Sequence, residues 1–325
     1  MSLTRVSSLL CCALMFFGVS TAQAQADWPA RPVTIIVPFT AGGSTDAITR
    51  LVAQKLGEKL GKSVVVENIG GGGGTIGTAK AGQAAPDGYT LVLGVDSPIA
   101  IARLVNPAAV KYKSQDFAPI GLISTAPMVL MARPDLPANN VAELLALARA
   151  EPGKLTYATS GIGTVLHLAM ETIKQQAKVD LLHVPYRGGA QVLTDLMGGQ
   201  IDLAMLASGS AIPAVLGKKV KGIAITDGKR LQTLPDVPAL AESPEFKNFN
   251  MTAWTGLFAP AGTPPAVISR LNHDLNEVLQ SADVRTQLAQ QGVIPGTGSA
   301  EDFAAFVKNE EQRYERIVKS ANIAE

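Results

Sequence analysis

Apolar positions in this chain follow two alternating rhythms, short continuous runs and stripes spaced three and four residues apart. The run Val33–Pro38 predicts a buried strand, and Ile48, Leu51, Val52, Leu56 and Leu60 mark one face of a helix over about Thr45–Leu60. Further strands are expected at Ser63–Glu67, Thr90–Gly94, Leu155–Tyr157, Leu181–Pro185, Ile201–Leu206, Gly222–Thr226 and Trp254–Ala259. Helices are expected at Val141–Ala150, Thr164–Ala177, Gln191–Met197, Pro265–Gln280, Ala282–Gln290 and Ser299–Asn322. The last opens with the capping pattern Ser299-Ala300-Glu301-Asp302. Ile120–Met131 reads as extended but interrupted at Pro127.

Strands alternating with helices imply an α/β protein with parallel sheets. The order adds a second inference. One α/β unit is followed by another, and Trp254–Ala259 then returns before a long helical tail. If that tail packs on the first unit, two lobes are joined by two crossing strands, Ile120–Met131 and Phe249–Ala259. The expected division is 27–124 plus 250–325 for lobe one and 125–249 for lobe two. Two connections of this kind make a hinge, and ligands favour the cleft between lobes.

Residues 1–26 read as a cleaved secretion signal. Arg5 precedes the apolar stretch Leu9–Val19, which is too short to span a bilayer, and Ala22-Gln23-Ala24 and Ala24-Gln25-Ala26 fit a small-residue cleavage site. Both cysteines, Cys11 and Cys12, lie in that leader. The mature chain then has no thiol for disulfides, nucleophilic catalysis or metal binding. Arg5 is also the leader's only charge, so 28 Lys+Arg against 27 Asp+Glu come into balance once it is removed. A balanced charge gives no footprint for nucleic acid or a membrane surface.

Two glycine turns carry the candidate chemistry. Val37-Pro38-Phe39-Thr40-Ala41-Gly42-Gly43-Ser44-Thr45-Asp46 and Tyr157-Ala158-Thr159-Ser160-Gly161-Ile162-Gly163-Thr164 each join a strand to a helix. Such a junction aims free N–H groups and a positive helix end at one point, which suits an oxyanion. Asp46, Ser44 or Thr45 can cap the first helix; Ser160 and Thr164 add hydroxyls at the second. Taken singly each is also an ordinary loop, but they occupy equivalent places in the two units. The Gly70–Gly74 run with Gly77, and Asp96 further on, imitates a dinucleotide fingerprint. Consecutive glycines make that match nearly automatic, so a glycine loop at the cleft mouth, with Thr75 facing ligand, is the better reading.

No Gly-x-Ser-x-Gly motif occurs. His167 and Glu171 are one helical turn apart and read as a structural pair rather than a metal site, and His183 reads as a core histidine. Arg187, in Tyr186-Arg187-Gly188-Gly189, suits either a ligand carboxylate or a salt bridge. Ser208 is the polar candidate at Leu206-Ala207-Ser208-Gly209-Ser210.

Together these motifs resemble the Bug receptors, the extracytoplasmic solute receptors of tripartite tricarboxylate transporters. The likeness rests on Trp28-Pro29 with Pro32, Val37-Pro38-Phe39, Ala41-Gly42-Gly43, Asp46, Val65-Val66-Glu67-Asn68, Ala85-Pro86-Asp87-Gly88-Tyr89-Thr90-Leu91 and Asp116-Phe117-Ala118-Pro119. It continues through Ser160-Gly161-x-Gly163-Thr164-x-x-His167-Leu168, His183-Val184-Pro185-Tyr186, Leu234-Pro235-Asp236-Val237-Pro238 and Phe258-Ala259-Pro260-Ala261-Gly262-Thr263-Pro264. The resemblance implies a two-lobed periplasmic binding protein of the type II, Venus-flytrap kind. It would be a monomer, without cofactor or metal, that hands a small carboxylate to membrane transporter subunits. The alternatives are a ligand-sensing receptor for a sensor kinase and an exported dinucleotide-dependent oxidoreductase. The expected ligand-binding set is Phe39, Ala41, Gly42, Gly43, Ser44, Asp46, Thr75, Asp96, Ser97, Ser160, Gly163, Thr164, Val165, Tyr186, Arg187 and Ser208. Val165, and Leu206-Ala207 where the family often has Asp-Asn, imply a less polar wall on the second lobe.

Overall fold

The computed structural model describes residues 28–186 and 188–324, so the expected leader at 1–26 lies outside the described residues. Strands β1 (Val33–Val37), β2 (Val64–Asn68) and β3 (Thr90–Val95) pair in parallel, with β1 in the middle. Helix α1 (Ser44–Leu60) joins β1 to β2, and α2 (Thr75–Gly82) joins β2 to β3. A π-helical turn at Ser97–Ile101 and the short α3 (Ala102–Val105) follow β3 and lead to β4 (Phe117–Ala132). The second unit holds α4 (Val141–Ala150), β5 (Thr156–Thr159), α5 (Val165–Ala177), β6 (Leu182–Pro185), α6 (Gly189–Met197), β7 (Leu203–Ala207), α7 (Ser208–Leu216) and β8 (Lys221–Ile225). The chain returns as β9 (Thr252–Pro260) and ends in α8 (Pro265–Gln280), α9 (Ala282–Gln290), β10 (Ile294–Pro295) and α10 (Ala300–Ser320).

The parallel sheets expected from the alternation are realised only around β1 and β5. Strand β4 pairs antiparallel with β9 and β10 in the first lobe and with β7 and β8 in the second. It leaves one lobe and enters the other without turning: with β9 between them it runs in the direction of β1, β2 and β3, and it opposes β5, β6 and β7. The break expected at Pro127 is absent. Pro127 is the last β4 residue paired to β9, opposite Thr252, and Met128 is the first paired to β7, opposite Ala207. A residue with no N–H to donate is tolerated where the strand exchanges one partner for another.

This register decides where the helix starts point. Val95 at the end of β3 lies opposite Thr255, which in turn faces Ser124, and Ala207 at the end of β7 lies opposite Met128. The carboxyl ends of β1, β2 and β3 therefore point toward the second lobe, and those of β5, β6 and β7 toward the first. The helical segments that follow these six strands all begin at the junction, the position at which open α/β sheets bind ligands.

Packing explains the continuous apolar runs. Val33, Ile35 and Val37 face Ile48, Val52 and Leu56 of α1, in the same cluster as Leu271 and Leu275 of α8. Ile36 and Val92 turn to the opposite face, whose cluster includes Phe258 and Phe303. A strand buried on both faces has no polar alternation to show. The tail was expected to return onto the first unit. In the structure Phe303 of α10 packs on β9: its ring occupies the space a Cβ would take on Gly256, 6.1 Å from the ring of Trp254. The tail also reaches the second lobe, where Ser320 Oγ donates to Gln175 Oε1 at 3.1 Å.

Helix α2 was not expected. The stretch after Gly77 continues to Gly82 because Gly77 lets the helix lie directly on the end of β1: a Cβ there would stand 2.9 Å from Pro38 Cα and closer still to the Ile69 carbonyl oxygen. Both obstacles are backbone and cannot rotate away. Gly77→Ala is expected to lower stability by about 1–3 kcal/mol. Thermal melting checks this, and an unchanged Tm would refute the packing account.

Candidate functional site

The first turn is organised by a carboxylate aimed inward. Asp46 is 5% exposed. Its Oδ2 accepts from Gly42 N at 2.9 Å and Arg50 Nε at 3.1 Å, and its Oδ1 from Asn68 Nδ2 at 2.9 Å. Arg50 first, then the Gly42 amide, hold its pKa down to about 2. Asp46 thus does not cap α1; the capping position is Gly43, with no side-chain cap. It shapes the loop, and Gly42 can follow because glycine tolerates its φ of +90°. The Gly43 and Thr45 N–H groups have no protein partner among the described residues. Ala41, Gly42 and Gly43 are exposed. Phe39 is half-buried and leans toward the glycine loop, where a Cβ on Gly74 would lie 3.1 Å from its ring. The side chain of Ser44 lies outside the described residues.

The neighbouring strand ends are more enclosed. Thr75 is half-buried and its hydroxyl donates back to Gly72 O at 2.8 Å. Asp96 is 2% exposed, accepting from Trp254 N at 3.0 Å and from Ser97 Oγ at 2.8 Å. Burial pushes its pKa up to about 6 against the pull of these donors. A buried carboxylate so engaged ties β3 to β9; it offers nothing to a ribose hydroxyl, which removes the acidic residue from the dinucleotide reading.

The second turn is built from its own donors. Thr164 caps α5: its Oγ1 accepts from His167 N at 3.3 Å and donates to Gly161 O at 2.9 Å. Gly163, with φ of +68°, donates its N–H to His167 Nδ1 at 3.2 Å. The Ile162, Val165 and Leu166 N–H groups have no protein partner among the described residues. Ser160 is half-buried at the turn's start, and the Val165 side chain is buried. A Cβ on Gly163 would lie 2.9 Å from Val105 of α3, so this turn touches the first lobe.

Tyr186 and Ser208 are engaged within the protein. The Tyr186 hydroxyl donates to Asp195 Oδ2 at 2.7 Å, and burial pushes its pKa up to about 12. Ser208, the polar candidate of its segment, is fully buried as the first residue of α7; its Oγ donates to Gly292 O at 2.9 Å across the lobes. Arg187 lies outside the described residues. Sequence reading missed Asn68, Arg50 and Val105 as parts of the site. The Asp46/Arg50 spacing of one helical turn was a usable signal for the first pair. Nothing local announces Val105.

Among the described residues one group has metal-ligand character, His273, Asp274 and Glu277 on α8. Arg270 already pairs with Asp274 at 2.7 Å and Lys59 with Glu277 at 2.7 Å, which neutralises both carboxylates.

Two α/β lobes with helix starts converging at their junction have the architecture of periplasmic binding proteins, and the family and similar structures place the chain among solute-binding receptors rather than enzymes. The chain belongs to the tripartite tricarboxylate transporter family receptors, whose family description (TctC) matches residues 48–323. It is similar to protein BugT of Bordetella pertussis (strain Tohama I), 31% identical over 98% of either chain. A solved R. palustris protein with adipate superimposes with a TM-score of 0.83 at 34% identity, over 92% of this chain and 99% of that one. MatC from Rhodopseudomonas palustris with bound malate gives 0.78 at 33% identity, over 89% and 99%. Members of this family are periplasmic receptors, and among the described residues no helix is long and apolar enough to cross a membrane.

Proposed function

We propose that the protein captures a small organic carboxylate between its lobes in the periplasm and delivers it to the membrane subunits of a tripartite transporter. The observation that carries this reading is the pair of helix starts at Gly43 and Thr164, each with N–H groups that have no protein partner among the described residues, on strands whose carboxyl ends face one another. Such groups hold an oxyanion without a cation. The adipate and malate bound by two similar proteins support a carboxylate ligand. The ligand contacts would come from the exposed Ala41–Gly43 segment and from Ser160 and its neighbours. Arg187 would add a rim charge. Asp46 and Ser208 would act by shaping the walls. The buried Leu206 under Gly189 fits a ligand whose far part is less polar. The partner exchange of β4 at Pro127 and Met128 supports lobes of 27–124 plus 250–325 and of 125–249.

Amide hydrogen exchange with and without adipate or malate tests the reading. Binding between lobes is expected to protect the 41–46 and 160–165 segments together, because a ligand that closes a hinge adds contacts only in the closed form. Protection of one segment alone, or stabilisation by NAD and by no carboxylate, would overturn it.

A further inference from the structure

Behind the second turn lies a stack of aromatic rings that ligand capture as described leaves unused. The imidazoles of His167 (α5) and His183 (β6) stack at 4.0 Å between centroids, 15° from parallel, and Tyr157 (β5) covers His183 at 4.7 Å. Each ring is bonded to the turn or its root. Gly163 N donates to His167 Nδ1 at 3.2 Å, so that nitrogen carries no proton. His183 Nε2 lies 2.8 Å from Thr159 Oγ1, whose hydroxyl also reaches Gly161 O at 3.1 Å. A hydroxyl has one proton; when it goes to the Gly161 carbonyl, His183 Nε2 is the donor.

The surroundings keep both rings neutral. From α5 itself come Glu171 and Lys174. Glu171 lies 3.9 Å from His167 Nε2, but it already accepts from the Tyr157 hydroxyl at 2.6 Å and Lys174 Nζ at 2.8 Å. Burial lowers the His167 pKa below its ordinary value, and burial together with the neighbouring His167 lowers that of His183 to about 4. A proton on His167 Nδ1 would set an N–H against the Gly163 N–H and place charge against a second imidazole.

We propose that His167 is a positioning residue for ligand capture: its unprotonated Nδ1 holds the Gly163 amide, and with it the 160–164 turn, so that proton uptake by the His167–His183 stack weakens carboxylate binding. The binding half of this statement rests on the function proposed above. The receptor would then hold its ligand at neutral pH and release it more readily in acid.

The test uses the mature protein, its His167→Asn and His167→Leu variants, and adipate and malate as probes. The amide oxygen of asparagine accepts the Gly163 N–H but takes up no proton. In wild type, the Gly163 amide resonance is expected to lose its hydrogen-bonded shift as the pH falls from about 7 toward 4. His167→Asn should keep that shift throughout, and His167→Leu should lack it at every pH. Wild-type affinity should fall about tenfold further on acidification than that of His167→Asn, the ligand's own titration being common to both. Identical pH profiles for wild type and His167→Asn, or a wild-type Gly163 amide that does not move while ligand binds normally, would overturn the positioning role. Failure of wild type to bind either probe at about pH 7 would instead sink the carboxylate reading and the binding half with it, whatever the Gly163 amide does.

Discussion

Gly163→Val is expected to abolish carboxylate capture while the chain still folds. Two effects act together. The native φ of +68° is left-handed, a region that costs a β-branched residue about 1–3 kcal/mol. The new Cβ would also meet Val105 Cγ2 at 2.9 Å and Cγ1 at 3.1 Å. Val105 belongs to α3 of the first lobe, so relief of the contact separates the lobes at the place where the proposed ligand would bridge them. The turn and α5 remain held from within by Thr164 and the buried Val165, which is why the loss should fall on binding rather than folding. A loss of more than about 100-fold in affinity is anticipated, close to 2.7 kcal/mol. Gly43→Val is the informative control, since its φ of −81° is ordinary and nothing lies within 4 Å of its Cβ. Any loss there comes from filling the cleft alone. Calorimetric titration with adipate or malate reads both variants; near-native affinity for Gly163→Val would refute the contact argument.

Asp46→Ala should damage stability and binding together. The substitution leaves the Gly42 N–H and one Asn68 Nδ2 hydrogen without their acceptor and removes the carboxylate from Arg50, which keeps only Asn68 Oδ1 at 2.8 Å. Charge-assisted hydrogen bonds of this kind contribute about 1.5–3 kcal/mol. Their sum is not additive, and Arg50 can turn to water, so a net loss of about 3 kcal/mol is expected. Binding should weaken by at least about tenfold, because Gly42 and Gly43 lose the anchor that orients their amides. The pH dependence has a definite sign. Arg50 and Gly42 lower the folded-state pKa to about 2 from an ordinary 3.8, so the carboxylate's contribution is complete above about pH 4 and disappears as the pH falls toward 2. The stability gap between wild type and Asp46→Ala should therefore narrow over that acid interval. Equal melting temperatures at neutral pH, or a gap that does not narrow in acid, would show that the inward carboxylate is not what organises the turn.

The alternation of strands and helices, the two glycine turns and the cap at Ser299 were legible because each depends on residues within one or two turns of one another. Ser299 Oγ accepts from Asp302 N at 3.0 Å, as the four-residue pattern required. The resemblance to the Bug receptors was legible for the same reason, since short motifs at fixed spacing survive in one dimension. What sequence could not decide is which way the polar side chains at the strand ends would face. Asp46, Asp96 and Ser208 all sit where a ligand contact is reasonable. Their orientation is set by donors and acceptors far along the chain: Asn68 for Asp46, Trp254 for Asp96, and the Gly292 carbonyl for Ser208. A buried polar atom takes whichever partner the tertiary fold delivers, because leaving it unpaired costs about 1–3 kcal/mol. Pro127 shows the same limit. Read locally it breaks a strand, but in the fold it stands where β4 passes from β9 to β7, and only long-range pairing could reveal that no donor was needed there.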